Sequence, residues 1–386
     1  MSYIENSQNT LSELLARVQE QSARKQDIIA DTSAIQVQTT SSSIDEAGNP
    51  WSRTSVILEG DGGAPTQIYH ANSVAFDQMV TKAGIDVSTG RRLQSQYPDV
   101  LDHALNRIHQ QEPRKAMLRC FEGNGSGVLR AVVSDKFKTF DNPDLLEAAI
   151  PVLMDSEAQW QVVSADITDK RLYARFKSLA ITGEGAAVGD AMAQGVSISN
   201  SETGHGSVSI AQIVWTLACL NGMQTANKNR TAHLTSSRAD GDTWALLTDE
   251  SKRLDNRALS SKVADVTAAY SSREMFETVL EQFKKASGDI VEGGMAAAQP
   301  AVETLGGILK LSKAETYSVL DGLMQTIQQD GYRGNPLSRA TLVNAVTAAA
   351  HSADADSVND WQALGGKVLD LPHNQWQSVA QVAIAA

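Results

Sequence analysis

The chain has 386 residues, with 33 Lys and Arg against 45 Asp and Glu, a net charge of -12 with the histidines neutral. That length admits a large core and two or three domains, and 42% hydrophobic with 20% charged residues excludes wholesale disorder. The acidic balance argues against a surface that binds polyanions everywhere and leaves room only for a local basic face. Two cysteines, Cys120 and Cys219, lie far apart among apolar neighbours, the pattern of buried thiols in a reducing compartment. The first residues lack the basic start and apolar run of a signal peptide, and no apolar run approaches the ~20 residues that span a bilayer. A soluble, cytoplasmic protein with no membrane partner is expected.

Thr10 begins a helix over residues 10–30, with Glu13 at capping-box spacing and Leu11, Leu14, Leu15 and Val18 on one face. It is either the first helix of its own domain or an arm that packs on a neighbouring subunit. Residues 39–51, rich in Ser and Thr and holding Gly48-Asn49-Pro50, read as a linker. A strand over 54–59, the turn Gly60-Asp61-Gly62-Gly63 and a short strand over 67–70 follow. Ser73 then caps a helix that runs to Gly84, and Pro98 opens another that ends before Pro113. Residues 115–121 and 128–134 are β-prone and joined by Gly123-Asn124-Gly125-Ser126-Gly127, which suits a hairpin loop. Asn142-Pro143 starts a helix through Leu145, Leu146 and Ala149, and 159–166 with 170–181 make a strand pair.

Residues 189–223 alternate apolar and polar, break at Asn200-Ser201-Glu202-Thr203-Gly204, alternate again and then turn apolar. Two strands around a polar turn, followed by a buried segment, are expected there, and the rest of the chain is organised around them. From about residue 226 helical periodicity takes over, most clearly over 272–286, 312–329 and 337–350, with a turn at Asp330-Gly331. The fold class is therefore α+β: a mainly antiparallel sheet with flanking helices, followed by a predominantly helical C-terminal region. The expected units are residues 1–50 (helix and linker), 51–225 (core) and 226–386 (helical, packed on the core).

The sharpest chemical pattern is Lys170-Arg171-Leu172-Tyr173-Ala174-Arg175-Phe176-Lys177. On a strand, Leu172, Ala174 and Phe176 face the core, and Arg171, Tyr173, Arg175 and Lys177 share the other side. Three cations and a ring facing water can track phosphates and stack a base. Arg119, Arg130, Lys136 and Lys138 lie on or beside the preceding hairpin and extend the candidate surface. The bland reading is a solvated face with scattered ion pairs. The polar loop with Asn200, Ser201, Glu202 and His205 could bind an anion through its backbone N–H groups, or be a tight turn bonded to itself. The seven histidines, His70, His103, His109, His205, His233, His351 and His373, show no paired metal-ligand spacing, and phosphate-loop and dinucleotide motifs are missing. Asp240 and Asp242, near Arg230 and His233, read as a polar turn around Gly241. No cofactor and no metal are expected.

Several strings together resemble the phage- and plasmid-borne domain of unknown function 932 family. They are Arg130-Ala131-Val132-Val133-Ser134-Asp135-Lys136-Phe137 with Asp141-Asn142; Gly189-Asp190 with 195–204; Ala218-Cys219-Leu220-Asn221-Gly222-Met223; Arg230 and His233; and Asn344-Ala345-Val346-Thr347-Ala348-Ala349-Ala350-His351. The similarity spans about 70–370. It implies a gene of a bacteriophage or mobile element acting in the host cytoplasm, and it supplies no catalytic residues. The combined expectation is a non-enzymatic protein that binds nucleic acid, single-stranded DNA first, in replication or recombination, as a homo-oligomer. The alternative is a protein–protein interaction module, either a structural component or an inhibitor of host defence.

Overall fold

The computed structural model describes residues 11–44, 50–59, 65–185, 191–217, 221–225, 231–233, 247–328 and 334–382. The Thr10 cap, the turns at 60–63 and 330–331, Gly189-Asp190, Cys219, Arg230, Asp240 and Asp242 fall outside them. The architecture is α+β, with two sheets rather than one and a helical C-terminal part.

The first sheet contains β1 (Lys25–Asp31), β2 (Ile35–Ile44), β3 (Pro50–Leu58), β4 (Gln67–Ala71), β5 (Lys115–Phe121) and β6 (Gly127–Ser134), in the order β1-β5-β6-β4-β3-β2. Only the β4–β6 pair is parallel. The sheet follows α1 (Leu11–Arg24), and one of its faces carries α2 (Ser73–Lys82), α3 (Val87–Gln96) and α4 (Pro98–Gln111). Strand alternation sends Val56, Leu118, Cys120 and Leu129 to that face, where they meet Phe76, Met79, Leu101 and Leu105.

Three expectations change here. The helix from residue 10 stops at Arg24, because Ile28, Ile29 and their neighbours pair in register with β5. Long-range pairing has overridden the local helical pattern. The linker expected over 39–51 includes strand, with β2 and β3 paired from Ile35↔Leu58 to Ile44↔Pro50. Thr suits a strand, and Thr39 Oγ1 donates to Asp102 at 2.7 Å, so its hydroxyl is anchored rather than loose. Residues 25–44 thus belong to the sheet and not to a detached arm. The cap of α2 is Asn72 rather than Ser73: its side chain accepts from the Ala75 N–H at 2.9 Å. Helix α3, capped by Asp86, has no counterpart in the sequence reading.

The second sheet contains β7 (Trp160–Ile167), β8 (Leu172–Glu184), β9 (Ala191–Asn200), β10 (Ser209–Thr216) and β11 (Asn221–Gln224), ordered β11-β10-β9-β8-β7, with β12 (Thr231–His233) also on β10. Both faces are covered. Leu172, Ala174, Phe176, Val196 and Ile198 pack against α1, α5 (Asn142–Asp155) and α6 (Asp249–Tyr270). On the other side Ile181, Met192, Val214 and Met223 meet α7 (Arg273–Gly288) and α10 (Arg339–Ala348). Around α10 lie α8 (Ala298–Leu309), α9 (Lys313–Gln328), α11 (Val358–Leu369) and α12 (His373–Ala380). β9 is central, and glycine is required within it. A Cβ on Gly195 would sit 2.2 Å from Nε1 of Trp215, whose indole N–H donates to Phe176 O at 3.0 Å. No helix of the described residues is long and apolar enough to cross a membrane.

Candidate functional site

The two sheets meet where β5 and β6 face the β9–β10 loop. Arg119 stands directly opposite Asp27 of β1. Its Nε and Nη2 each donate to Asp27 at 3.0 Å, Nη2 also reaches Asp141 at 2.7 Å, and Nη1 donates to the Glu202 carbonyl at 2.8 Å. Lys25 pairs with the same Asp141. Arg119 is 0% exposed. Burial works against its charge, but Asp141 and Asp27 outweigh that and hold the guanidinium protonated. Burial likewise pushes the Asp141 carboxyl up, yet Arg119 and Lys25 prevail and keep it below the usual carboxylate range.

Arg130 owes its direction to a bulge. Arg119 pairs with Ala131 and Cys120 with Leu129, so Arg130 is an extra residue in β6. Leu129 and Val132 both enter the helix-covered core, whereas Ala131 packs on the opposite face with Met117 and Val133. Arg130 lies over the Phe121 ring, 4.1 Å from its centroid, and Nη2 bonds Glu202 Oε2. Glu202 Oε1 accepts from the Asn142 N–H at 2.7 Å. Nη1 of Arg130 is buried and has no hydrogen-bond acceptor among the described residues.

The polar loop is a turn bonded to its own protein. Ser201 Oγ donates to Lys170 O and accepts from the His205 N–H, Thr203 Oγ1 donates to Lys170 O, and Asn200 Nδ2 donates to Phe140 O. Arg171 closes it, donating through Nη1 to His205 O at 3.1 Å and through Nη2 to Ser199 Oγ and Ser207 O. Gly206, at φ +128, gives the guanidinium room: a Cβ there would lie 2.2 Å from Nη1. The loop carbonyls therefore hold a cation of the protein. Arg171 Nε, like Arg130 Nη1, is buried without an acceptor among the described residues.

These two leftover nitrogens belong to residues that line one cleft of about 180 Å³ between the sheets, whose walls include Asn72, Phe121, Lys170 and Thr203. Three cations, Arg130, Lys170 and Arg171, share the lining with Asp169 and Glu202.

The strand expected over 170–181 exists as β8, but it begins at Leu172, which leaves Arg171 just before it, and its basic side is not open to water. Tyr173 is 2% exposed and Arg175 0%. The turn before α11 and the first residues of that helix cover them. Tyr173 donates to Asp356 at 3.1 Å, and Arg175 donates through Nη2 and Nε to Asn359 Oδ1 at 2.7 and 3.1 Å and through Nη1 to Ser164. Burial, then Asp356, raises the Tyr173 pKa above its ordinary value. Arg119 is likewise internal, and Lys138 is paired with Asp255. Lys136 and Lys177 are half-buried. The expected continuous basic, aromatic surface is thus corrected to a set of internal ties. Of the cleft's key residues, Arg130, Arg171 and Glu202 were candidates from sequence. Phe121 and Asn142 were not, although i, i+2 alternation places Phe121 beside Arg119.

Cys120 is buried, which pushes its thiol up to about 12 and leaves it unreactive. No group of His, Cys, Asp and Glu among the described residues could hold a metal ion. No protein-family model, no curated protein and no solved structure matches the chain.

Proposed function

We propose that the protein binds nucleic acid without transforming it, gripping a single strand at the cleft between the two sheets. The observation that supports this is the pair of guanidinium nitrogens, Arg130 Nη1 and Arg171 Nε, that are buried with no acceptor among the described residues. A buried charged donor without an acceptor costs about 1–3 kcal/mol or more, so folded proteins rarely keep one unless something else satisfies it. Phosphate oxygens are strong acceptors for guanidinium groups. The half-buried Phe121 adds aromatic surface of the sort bases stack on. A cleft of about 180 Å³ takes a phosphate and not a duplex. In the setting the resemblance suggests, the strand would belong to a replicating or recombining phage or mobile element.

The test is a gel-shift series with short single- and double-stranded DNA at two salt concentrations, on wild type and Lys170→Glu. Lys170 is exposed at the cleft. A shift of the single strand at low salt, weaker at high salt and weaker again in the variant, is expected. No shift of either DNA at low salt ends the reading.

A protein-binding role has one observation in its favour. Ile29 is 61% exposed on β1, an edge strand with one unpaired side. Pairing of such edges would give the expected homo-oligomer and multiply the clefts, raising avidity for a strand. Ile29→Lys should then shift the sizing profile to a smaller species.

A further inference from the structure

We infer that β1 joins a second copy of this chain, pairing antiparallel with its own image about a two-fold axis through Ile28. This rests on the protein-binding reading, gives it a register, and is independent of the cleft. Among the described residues β1 lies at the edge of its sheet and pairs with β5 alone. The flanks show which peptide groups face outward. The Glu122 N–H donates to Arg24 O at 2.7 Å and the Thr32 N–H to Arg114 O at 2.9 Å, so Arg24 and Thr32 both bond on the β5 side. In an antiparallel strand that direction alternates. Gln26, Ile28 and Ala30 therefore bond β5, while Lys25, Asp27, Ile29 and Asp31 present their N–H and C=O groups outward.

The sequence of β1 then selects the offset. With Ile28 on the axis, the strands overlap over their whole length, Lys25 opposes the partner's Asp31, and Asp27 opposes the partner's Ile29. A shift of one pair in either sense sets Asp27 against the partner's Asp31 or against the partner's Asp27. Like charges directly opposite are destabilising and opposite charges stabilising. Full overlap and charge complementarity thus coincide at one register. Lys25 already holds Asp141, and Asp31 holds Ser33 through Oδ1 while staying exposed, so both charges are in place before the partner arrives.

Apolar surface follows the same register. Ile29 is 61% exposed, and the two Ile29 side chains become diagonal neighbours on the open face. Ile28 and Ala30 pack on the helix-covered core, and the two Ile28 side chains meeting at the axis join that core to its copy.

The experiment is sedimentation velocity over a concentration series, with disulfide trapping to read the register. Wild type should dimerise as concentration rises. Asp31→Lys sets like charges opposite at both ends and should weaken the dimer roughly tenfold. Asp31→Asn, which keeps an acceptor for Ser33, should weaken it less. A wild type that stays monomeric throughout overturns edge pairing and the register with it. A dimer indifferent to both Asp31→Lys and Ile29→Lys places the interface elsewhere. In a Cys219→Ser background, Ile28→Cys should oxidise to a covalent dimer, because Cα atoms across such a pair stand about 4.5 Å apart. Ile29→Cys, diagonal at about 7–8 Å, should not. Linking through Ile29→Cys, alone or with Ile28→Cys, overturns the register while edge pairing stands. Linking through neither, in a protein that dimerises, overturns both.

Discussion

Arg119 and Arg130 sit on neighbouring strands of one hairpin, both buried, and they differ by a single nitrogen. Arg119 has an acceptor for each of its three nitrogens and ties β1, α5 and the β9–β10 loop together. Arg130, turned by the bulge, ties Glu202 with one nitrogen and leaves another unmatched beside a cleft. The first behaves as a joint and the second as a joint with a vacant donor. Arg175 belongs with the first, since Ser164 and Asn359 take its nitrogens. A basic residue on a strand therefore says little about binding until its donors are accounted for.

The largest effect should come from Arg119→Ala. It leaves Asp27 without its cation and Asp141 with Lys25 alone at the inter-sheet junction, and removing one member of a buried ion pair costs about 3–5 kcal/mol. Chemical denaturation should show a loss of that size. A loss below about 1 kcal/mol would mean the cluster does not join the sheets. Asn359→Ala removes the acceptor for two Arg175 nitrogens and should cost about 1.5–3 kcal/mol. It should leave oligothymidylate affinity unchanged. A gain in affinity would return the covered face of β8 to candidacy as an interface.

Acid should act in two stages. Burial lowers the pKa of His109, and burial, then Arg53, lowers that of His70, both from an ordinary 6.5. Below that value the unfolded chain takes protons that the folded one refuses, so stability falls as pH drops from about 6.5 toward the folded values. Asp141 has a depressed folded pKa, so its contribution is complete above the unfolded value near 3.8 and is lost as pH falls through the folded one. Melting temperatures from pH 7 to 3 should show both declines. A flat profile between pH 7 and 5 contradicts the histidine part.

Much of the fold was legible because its cues are local. Pro98, Asn142-Pro143 and the glycines at 123–127 punctuate the chain where α4, α5 and the β5–β6 hairpin begin or turn. The C-terminal helices show their apolar stripes directly, as Phe276, Val279, Leu280 and Phe283 do on α7. What failed was non-local. Residues 25–31 continue a helical pattern until β5 pairs with them, and the Thr/Ser run of β2 looks like a linker until β3 lies beside it. The octet at 170–177 was read as a strand, which holds from Leu172 on, with Leu172, Ala174 and Phe176 in the core. Nothing nearby announces that Asp356 and Asn359, 183 and 184 residues downstream of their partners, cover its other side. The bulge that aims Arg130 was equally hidden, because it depends on how β6 registers against β5.

The smallest structural change makes the sharpest functional test. Lys170 is exposed, so Lys170→Glu should alter stability by no more than about 0.5 kcal/mol while reversing a charge at the cleft. Fluorescence anisotropy with labelled oligothymidylate at low ionic strength should show binding by wild type and by Asn359→Ala, and strongly reduced binding by Lys170→Glu. Equal affinity of wild type and Lys170→Glu, with Asn359→Ala altered instead, would contradict the cleft as the place where the strand is held.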